Sequence, residues 1–198
     1  MERDNTLLLA SVIVFVFSLI MLVNQSVKMT GYATEGTTIS NVSISKYLSI
    51  TLSTNLSEGI LFGSITSLPA SDWNATHNFD GDSSGSTMFV NVSQDSNTAV
   101  DICIKANTHL TDSGNGNILG IGNETYRNST TTDGSNPPGP SNSIMLNTTY
   151  VKGGAISPAS LSYYRFWLDV PSATPSGTYN NSVSFKGVEN SGPYNCGS

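Results

Sequence analysis

The side chains of this chain that could do chemistry are few and scattered. Gly81-Asp82-Ser83-Ser84-Gly85 sets a serine beside an acid, but a nucleophilic serine needs a histidine base that an acid orients. An order with the base far upstream finds only His77, six residues before Ser83, and an order with a late base finds nothing after His109. A polar turn explains the block, so no catalytic residue is assigned and a non-enzymatic chain is expected. The acidic pairs Asp80/Asp82 and Asp95/Asp101 are of a type that binds Ca²⁺ in loops, yet no spacing matches a helix-loop-helix calcium loop. Asp112-Ser113-Gly114-Asn115-Gly116-Asn117 lacks the closing Glu and the acidic density. Cys103 and Cys196 have no histidine near them in sequence, which argues against zinc. Neither metal nor cofactor is expected.

The element that sets the destination of these residues is Thr6 to Val23, eighteen residues without charge, Gly or Pro. At about 1.5 Å per residue such a helix is long enough for a hydrocarbon core of roughly 30 Å. The expected organisation is a cytoplasmic N-terminus over 1–5, a transmembrane helix or signal anchor over 6–23, a linker over 24–36 and an extracytoplasmic domain over 37–198. A cleaved signal is the alternative, with Gly31-Tyr32-Ala33 as its small-residue site. The expected location is the cell membrane, single-pass with the C-terminal domain outside, or secretion if cleaved.

Composition supports export. Charged residues are 11% of the chain, the net charge is −6, and Ser, Thr, Asn and Gly dominate after the apolar run. No basic stripe exists, so nucleic acid is not an expected partner. Glycosylation sequons occur at Asn24, Asn41, Asn55, Asn74, Asn91, Asn123, Asn128, Asn147 and Asn180. In an exported chain two cysteines suggest one disulfide, Cys103 to Cys196.

Hydropathy alternates with period two along most of the domain, the pattern of strands with one buried face. Thr37 to Leu52 alternates, interrupted by Lys46 on the apolar parity, where a break is expected. Asn55 to Gly59 is a turn and Ile60 to Thr66 a second strand. Thr87 to Ser93 and Thr98 to Ala106 read as a hairpin, with Asp101, Cys103 and Lys105 outward. Thr111 to Ser143 reads as one long loop. Ile144 to Val151, Leu161 to Val170 and Thr178 to Val188 are further strands. In the second of these, Tyr163, Arg165 and Trp167 fall on the outward parity, so Tyr163 and Trp167 form a possible binding face unless a second layer or a loop covers them. The expected fold is all-β, an antiparallel immunoglobulin-like β-sandwich of about seven to nine strands preceded by one hydrophobic α-helix.

Several stretches carry resemblances. Gly81 to Gly85 resembles the nucleophile block of chymotrypsin-like proteases and, more loosely, the corresponding block of SGNH hydrolases, without their histidines. Thr30-Gly31-Tyr32-Ala33, Ser45 to Ile65, Val100 to Asn107 and Tyr163 to Val188 resemble a group of archaeal surface proteins with one N-terminal hydrophobic segment and a β-sandwich. A looser similarity is to the camelysin and biofilm-matrix fibre family. That resemblance implies assembly through a strand donated from the N-terminal region, here Thr37 to Leu52. Archaeal pilins are a third comparison, from which this chain departs in showing no Gly or Ala with preceding basic residues before its apolar run, unless it begins already processed. Two functions are expected from these features: a structural surface subunit that forms filaments, its partners being the membrane and other copies of itself, or a tethered module that binds surface glycans or another cell.

Overall fold

A computed structural model of the chain describes residues 10–21, 41–78, 87–129, 137–190 and 196. Gly81 to Gly85, with Asp80 and Asp82, lies outside the described residues, as do Phe79, Asn24, the Gly31-Tyr32-Ala33 site and the ends of the 6–23 run. The chain divides into two units, Met1–Ser43 and Ile44–Ser198. In the first, residues 10–21 form a helix, α1, apolar on all sides and exposed along its whole described length. No helix among the described residues is long and apolar enough to cross a membrane.

The second unit is all-β with three antiparallel sheets. Its strands are β1 (Ile50–Leu52), β2 (Ala70–Asn74), β3 (Met88–Val92), β4 (Val100–Ala106), β5 (Leu110–Asp112), β6 (Ile118–Leu119), β7 (Glu124–Ser129), β8 (Ile144–Met145), β9 (Val151–Ile156), β10 (Leu161–Val170), β11 (Tyr179–Asn180) and β12 (Val183–Glu189). The largest sheet runs β1-β3-β10-β7-β8, with β2 following β3 along the same edge of β10. A second sheet is β12-β4-β9 and a third is β11-β5-β6.

Alternation explains where the core sits. Met88, Val90 and Val92 of β3 and Tyr164 and Phe166 of β10 join Val100, Ile102, Ile104 and Ala106 of β4 in one apolar cluster, so two sheets share a core. Tyr164 meets Phe185 of β12 edge-on at 5.3 Å between ring centroids. Each such side chain removed from water contributes about 1.5–3 kcal/mol. A smaller cluster gathers Ala70, Leu110, Leu119, Leu168 and Val170.

Four expectations are corrected. Thr87–Ser93 and Thr98–Ala106 are not a hairpin: β3 and β4 belong to different sheets, and their apolar faces meet in the shared core instead of lying side by side. Alternation reports which face is buried, not which neighbour pairs. The presumed loop 111–143 holds β6, β7 and most of β5, and β7 pairs with β10 through all six of its residues. Its sequence Glu-Thr-Tyr-Arg-Asn-Ser hides a strand because Glu124 and Thr125 are buried beside Tyr126. Ile60 to Thr66 forms no strand. Before it, the run 55–59, with the turn expected there, is nearly the whole of a short helix, α2 (Thr54–Glu58), and its C-cap Gly59; Ser53 caps the start, its Oγ accepting from Leu56 N at 3.3 Å.

The fourth correction concerns the long N-terminal strand. Of its described part, only Ile50–Leu52 enters a sheet. Residues 45–49 are bound by the 93–97 turn: Asn97 Nδ2 donates to Ser45 O at 2.9 Å, Tyr47 N donates to Asn97 Oδ1 at 2.8 Å, and Ser49 N donates to Ser96 Oγ at 3.1 Å. Side chains there share the bonding with two backbone hydrogen bonds, Asn97 N to Tyr47 O and Ser93 N to Ser49 O, where a paired strand would use backbone alone. Lys46, which falls on the apolar parity, turns outward to Glu189 instead of entering the core, and the segment around it is no regular strand. Before it, Val42 and Ile44 are 80% and 79% exposed.

Candidate interaction site

Trp167 is 1% exposed, so it is a core residue and not part of a binding face. The guanidinium of Arg165 lies 5.2 Å from its ring centroid, and Arg165 Nη1 donates to the carbonyl of the buried Pro137 at 3.4 Å. Arg127 on β7 donates to Asn142 O, so the 137–143 segment is tied over the outer face of β7 and β10. Tyr163 is half-buried and meets Phe89 edge-on at 5.8 Å. The covering loop, left open by the parity argument, is the arrangement present.

On the β12-β4-β9 sheet, Asp101 and Cys103 stand on the expected outward parity but are fully buried. Cys103 forms the disulfide with Cys196, a bond that spans 93 positions. Asp101 Oδ2 receives Lys152 Nζ at 2.8 Å. A bulge in β9 makes this contact: Asp101 is opposite Ala155 and Cys103 opposite Lys152, so β9 carries one residue more than β4 over that interval. Gly154, at φ +111°, takes a conformation that side chains disfavour and sits inside the bulge.

Among the described residues the acidic loops bring no cation-binding set together, and Asp80/Asp82 lies outside them. Asp95 is exposed and separate from Asp101. The carboxylate of Asp112 instead accepts Asn115 Nδ2 at 3.0 Å, Gly114 N at 3.1 Å and Asn117 Nδ2 at 3.3 Å. Those donors, Asn115 first, hold its pKa below the ordinary carboxylate value. Gly177 closes on the same carboxylate so tightly that a Cβ there would come within 2.6 Å of it. His109 Nδ1 accepts the Ile121 amide at 2.9 Å. Among the described residues no group of three or more His, Cys, Asp or Glu could hold a metal.

The sequons divide by exposure. Asn41, Asn74, Asn147 and Asn180 are exposed. Asn55, Asn91, Asn123 and Asn128 are half-buried. Asn55, Asn123 and Asn128 also spend the amide nitrogen a glycan would need, donating to Thr87 O, Gly120 O and Gly153 O.

Among the described residues there is a groove of about 1130 Å³. One wall is the strandless run 59–66 with Leu61 and Phe62; the other is the 174–183 segment with Tyr179 and Val183, and Leu110, Leu119, Leu168 and Val170 also line it. The strand that continues this wall, β12, pairs with β4 along its whole length, and no strand among the described residues takes its other edge. Glu124 also lines the groove. Only 1% exposed, it accepts Asn181 Nδ2 at 2.9 Å, and burial pushes its carboxyl pKa up against that bond.

No protein-family model, curated protein or solved structure matches this chain. The geometry is therefore the guide. The groove presents apolar side chains among serines and threonines, a strand edge that no described strand pairs with, and one acid, which suits docking of an extended apolar segment. Sequence reasoning missed it. Ile60 to Ile65 read as a strand because apolar residues recur there, and Glu124 is a lone acid in a polar tract, with no pattern to mark it.

Proposed function

We propose that this protein is a non-enzymatic structural subunit of the cell surface. In this reading Thr6 to Val23 is a single-pass anchor or export segment, and the β-unit is an extracytoplasmic, immunoglobulin-like sandwich, glycosylated first at Asn41, Asn74, Asn147 and Asn180. An all-round apolar helix such as α1 is stable where lipid or protein surrounds it, which supports the anchor. Subunits assemble when the alternating stretch before β1 of one copy enters the groove of the next.

One observation carries the assembly reading: the same chain holds exposed Val42 and Ile44 at alternating positions and, among the described residues, an open apolar groove beside a strand edge that no strand pairs with. An alternating segment added to such an edge gains backbone hydrogen bonds and buries every second side chain. Because donor and acceptor are different surfaces, the contact is head-to-tail and propagates to a filament unless the rotation closes. Negative-stain microscopy of the full chain tests this. Wild type should form fibres and Val42→Asp/Ile44→Asp should not, at unchanged thermal stability. Fibres of equal number and length in the variant, or particles of single-copy size in both, would sink the proposal.

A further inference from the structure

Three of the five lysines of this acidic chain stand on one face of the β12-β4-β9 sheet. Lys186 and Lys152 are the partners of Cys103 on either side, and Lys105 lies two residues along β4, opposite Ser184. Adjacent strands lie about 4.8 Å apart, so the three lysines start from neighbouring backbone positions on that face. Lys152 is neutralised by Asp101. Lys105 and Lys186 are not: among the described residues neither has a carboxylate partner. Both instead reach the ring of Tyr150, with Nζ at 4.6 Å and 5.4 Å from its centroid.

Two like charges held on one ring repel each other, and the π face offsets only part of that repulsion. An anion between them relieves it, and Ser184, opposite Lys105 in register, adds a hydroxyl to the same face. We propose that the Lys105–Tyr150–Lys186 face binds the carboxylate or sulfate groups of an anionic polysaccharide. A single exposed ion pair is worth too little for useful affinity, so a ligand with repeated anionic groups is needed. DNA and RNA also repeat their charge, but a net charge of −6 repels so dense a polyanion, while a sparsely charged sugar polymer meets the lysines without that cost. The site is separate from the groove and independent of assembly.

The test is binding of the purified full chain, in detergent, to immobilised polygalacturonate and chondroitin sulfate, with neutral dextran as control and DNA as competitor. The expected result is retention by at least one of the two acidic polymers, none by dextran, and release as salt rises through about 0.1–0.2 M. Lys105→Gln/Lys186→Gln should bind roughly tenfold more weakly, whereas Lys46→Gln, on an exposed lysine elsewhere, should bind as wild type. Lys105→Arg/Lys186→Arg keeps the charge and should keep the binding, which separates loss of charge from loss of fold. No retention at low salt, retention that survives the Gln pair, or tighter binding to DNA would each overturn the proposal. So would salt-sensitive self-association that disappears in the Gln pair without any polysaccharide binding.

Discussion

The sheet face at Cys103 and the groove at Leu61 invert the usual distribution of polarity. At Cys103, an acid and a cysteine stand where solvent-facing residues belong, yet both are fully buried beneath a disulfide and an ion pair. At the groove, Leu61 is half exposed and Leu68 is 40% exposed, although apolar residues line both walls. The chain has closed its polar side with a covalent bond and has left its apolar side open. A surface closed that way is finished within one copy. The open one leaves apolar side chains uncovered among the described residues, and in the proposed assembly a second segment completes it.

The largest effect that could break this comparison lies on the closed side. Removing the disulfide with Cys103→Ala/Cys196→Ala should cost about 4 kcal/mol in denaturant unfolding, because the bond restricts a long loop of the unfolded chain. The groove, lying elsewhere, should keep its assembly behaviour in that variant at low temperature. Next is Lys152→Ala, which leaves Asp101 buried without its cation. A loss of about 2 kcal/mol is expected, below the usual range for buried pairs because Lys152 is partly exposed. Asp101→Val/Lys152→Val should recover most of it, and failure to recover would mean that the pair does more than balance charge.

Glu124 sharpens the open side. Its carboxyl pKa is raised in the folded protein, chiefly by burial, so the folded state binds the proton more tightly than the unfolded chain. Stability from this group is full below the ordinary value of 4.5 and falls as pH rises through the raised folded value. Glu124→Gln, which keeps an oxygen for Asn181, should therefore gain roughly 1 kcal/mol at pH 7 and nothing below about pH 4. Unfolding curves at the two pH values check the sign. The smallest stability effect is expected for Val42→Asp/Ile44→Asp, within about 0.5 kcal/mol, since neither side chain is buried in the single copy.

Faces were legible in the sequence and neighbours were not. The parity of Tyr164, Phe166, Leu168 and Val170 identified the buried side of β10, because burial acts on each residue alone. The pairing of β7 with β10 depends on a polar strand whose Glu124 finds its partner, Asn181, 57 residues away, and no local pattern announces that. Trp167 failed for a related reason: whether an outward aromatic is covered depends on the distant 137–143 segment and its contacts with Arg127 and Arg165. The disulfide was legible because two cysteines allow one pairing. The groove was hidden, since a void is set by what packs around it and not by any residue in it.

The central claim is that a neighbour's alternating segment fills the groove, and a directed cross-link tests it most directly. One tagged copy carries Ile44→Cys and a second, differently tagged copy carries Leu61→Cys, and the two are mixed under assembly conditions and mildly oxidised. The account predicts a mixed-tag dimer that forms as fibres form and that Val42→Asp in the Ile44→Cys copy abolishes. Fibres without the mixed-tag dimer, or the dimer at equal yield with Val42→Asp in place, would contradict it.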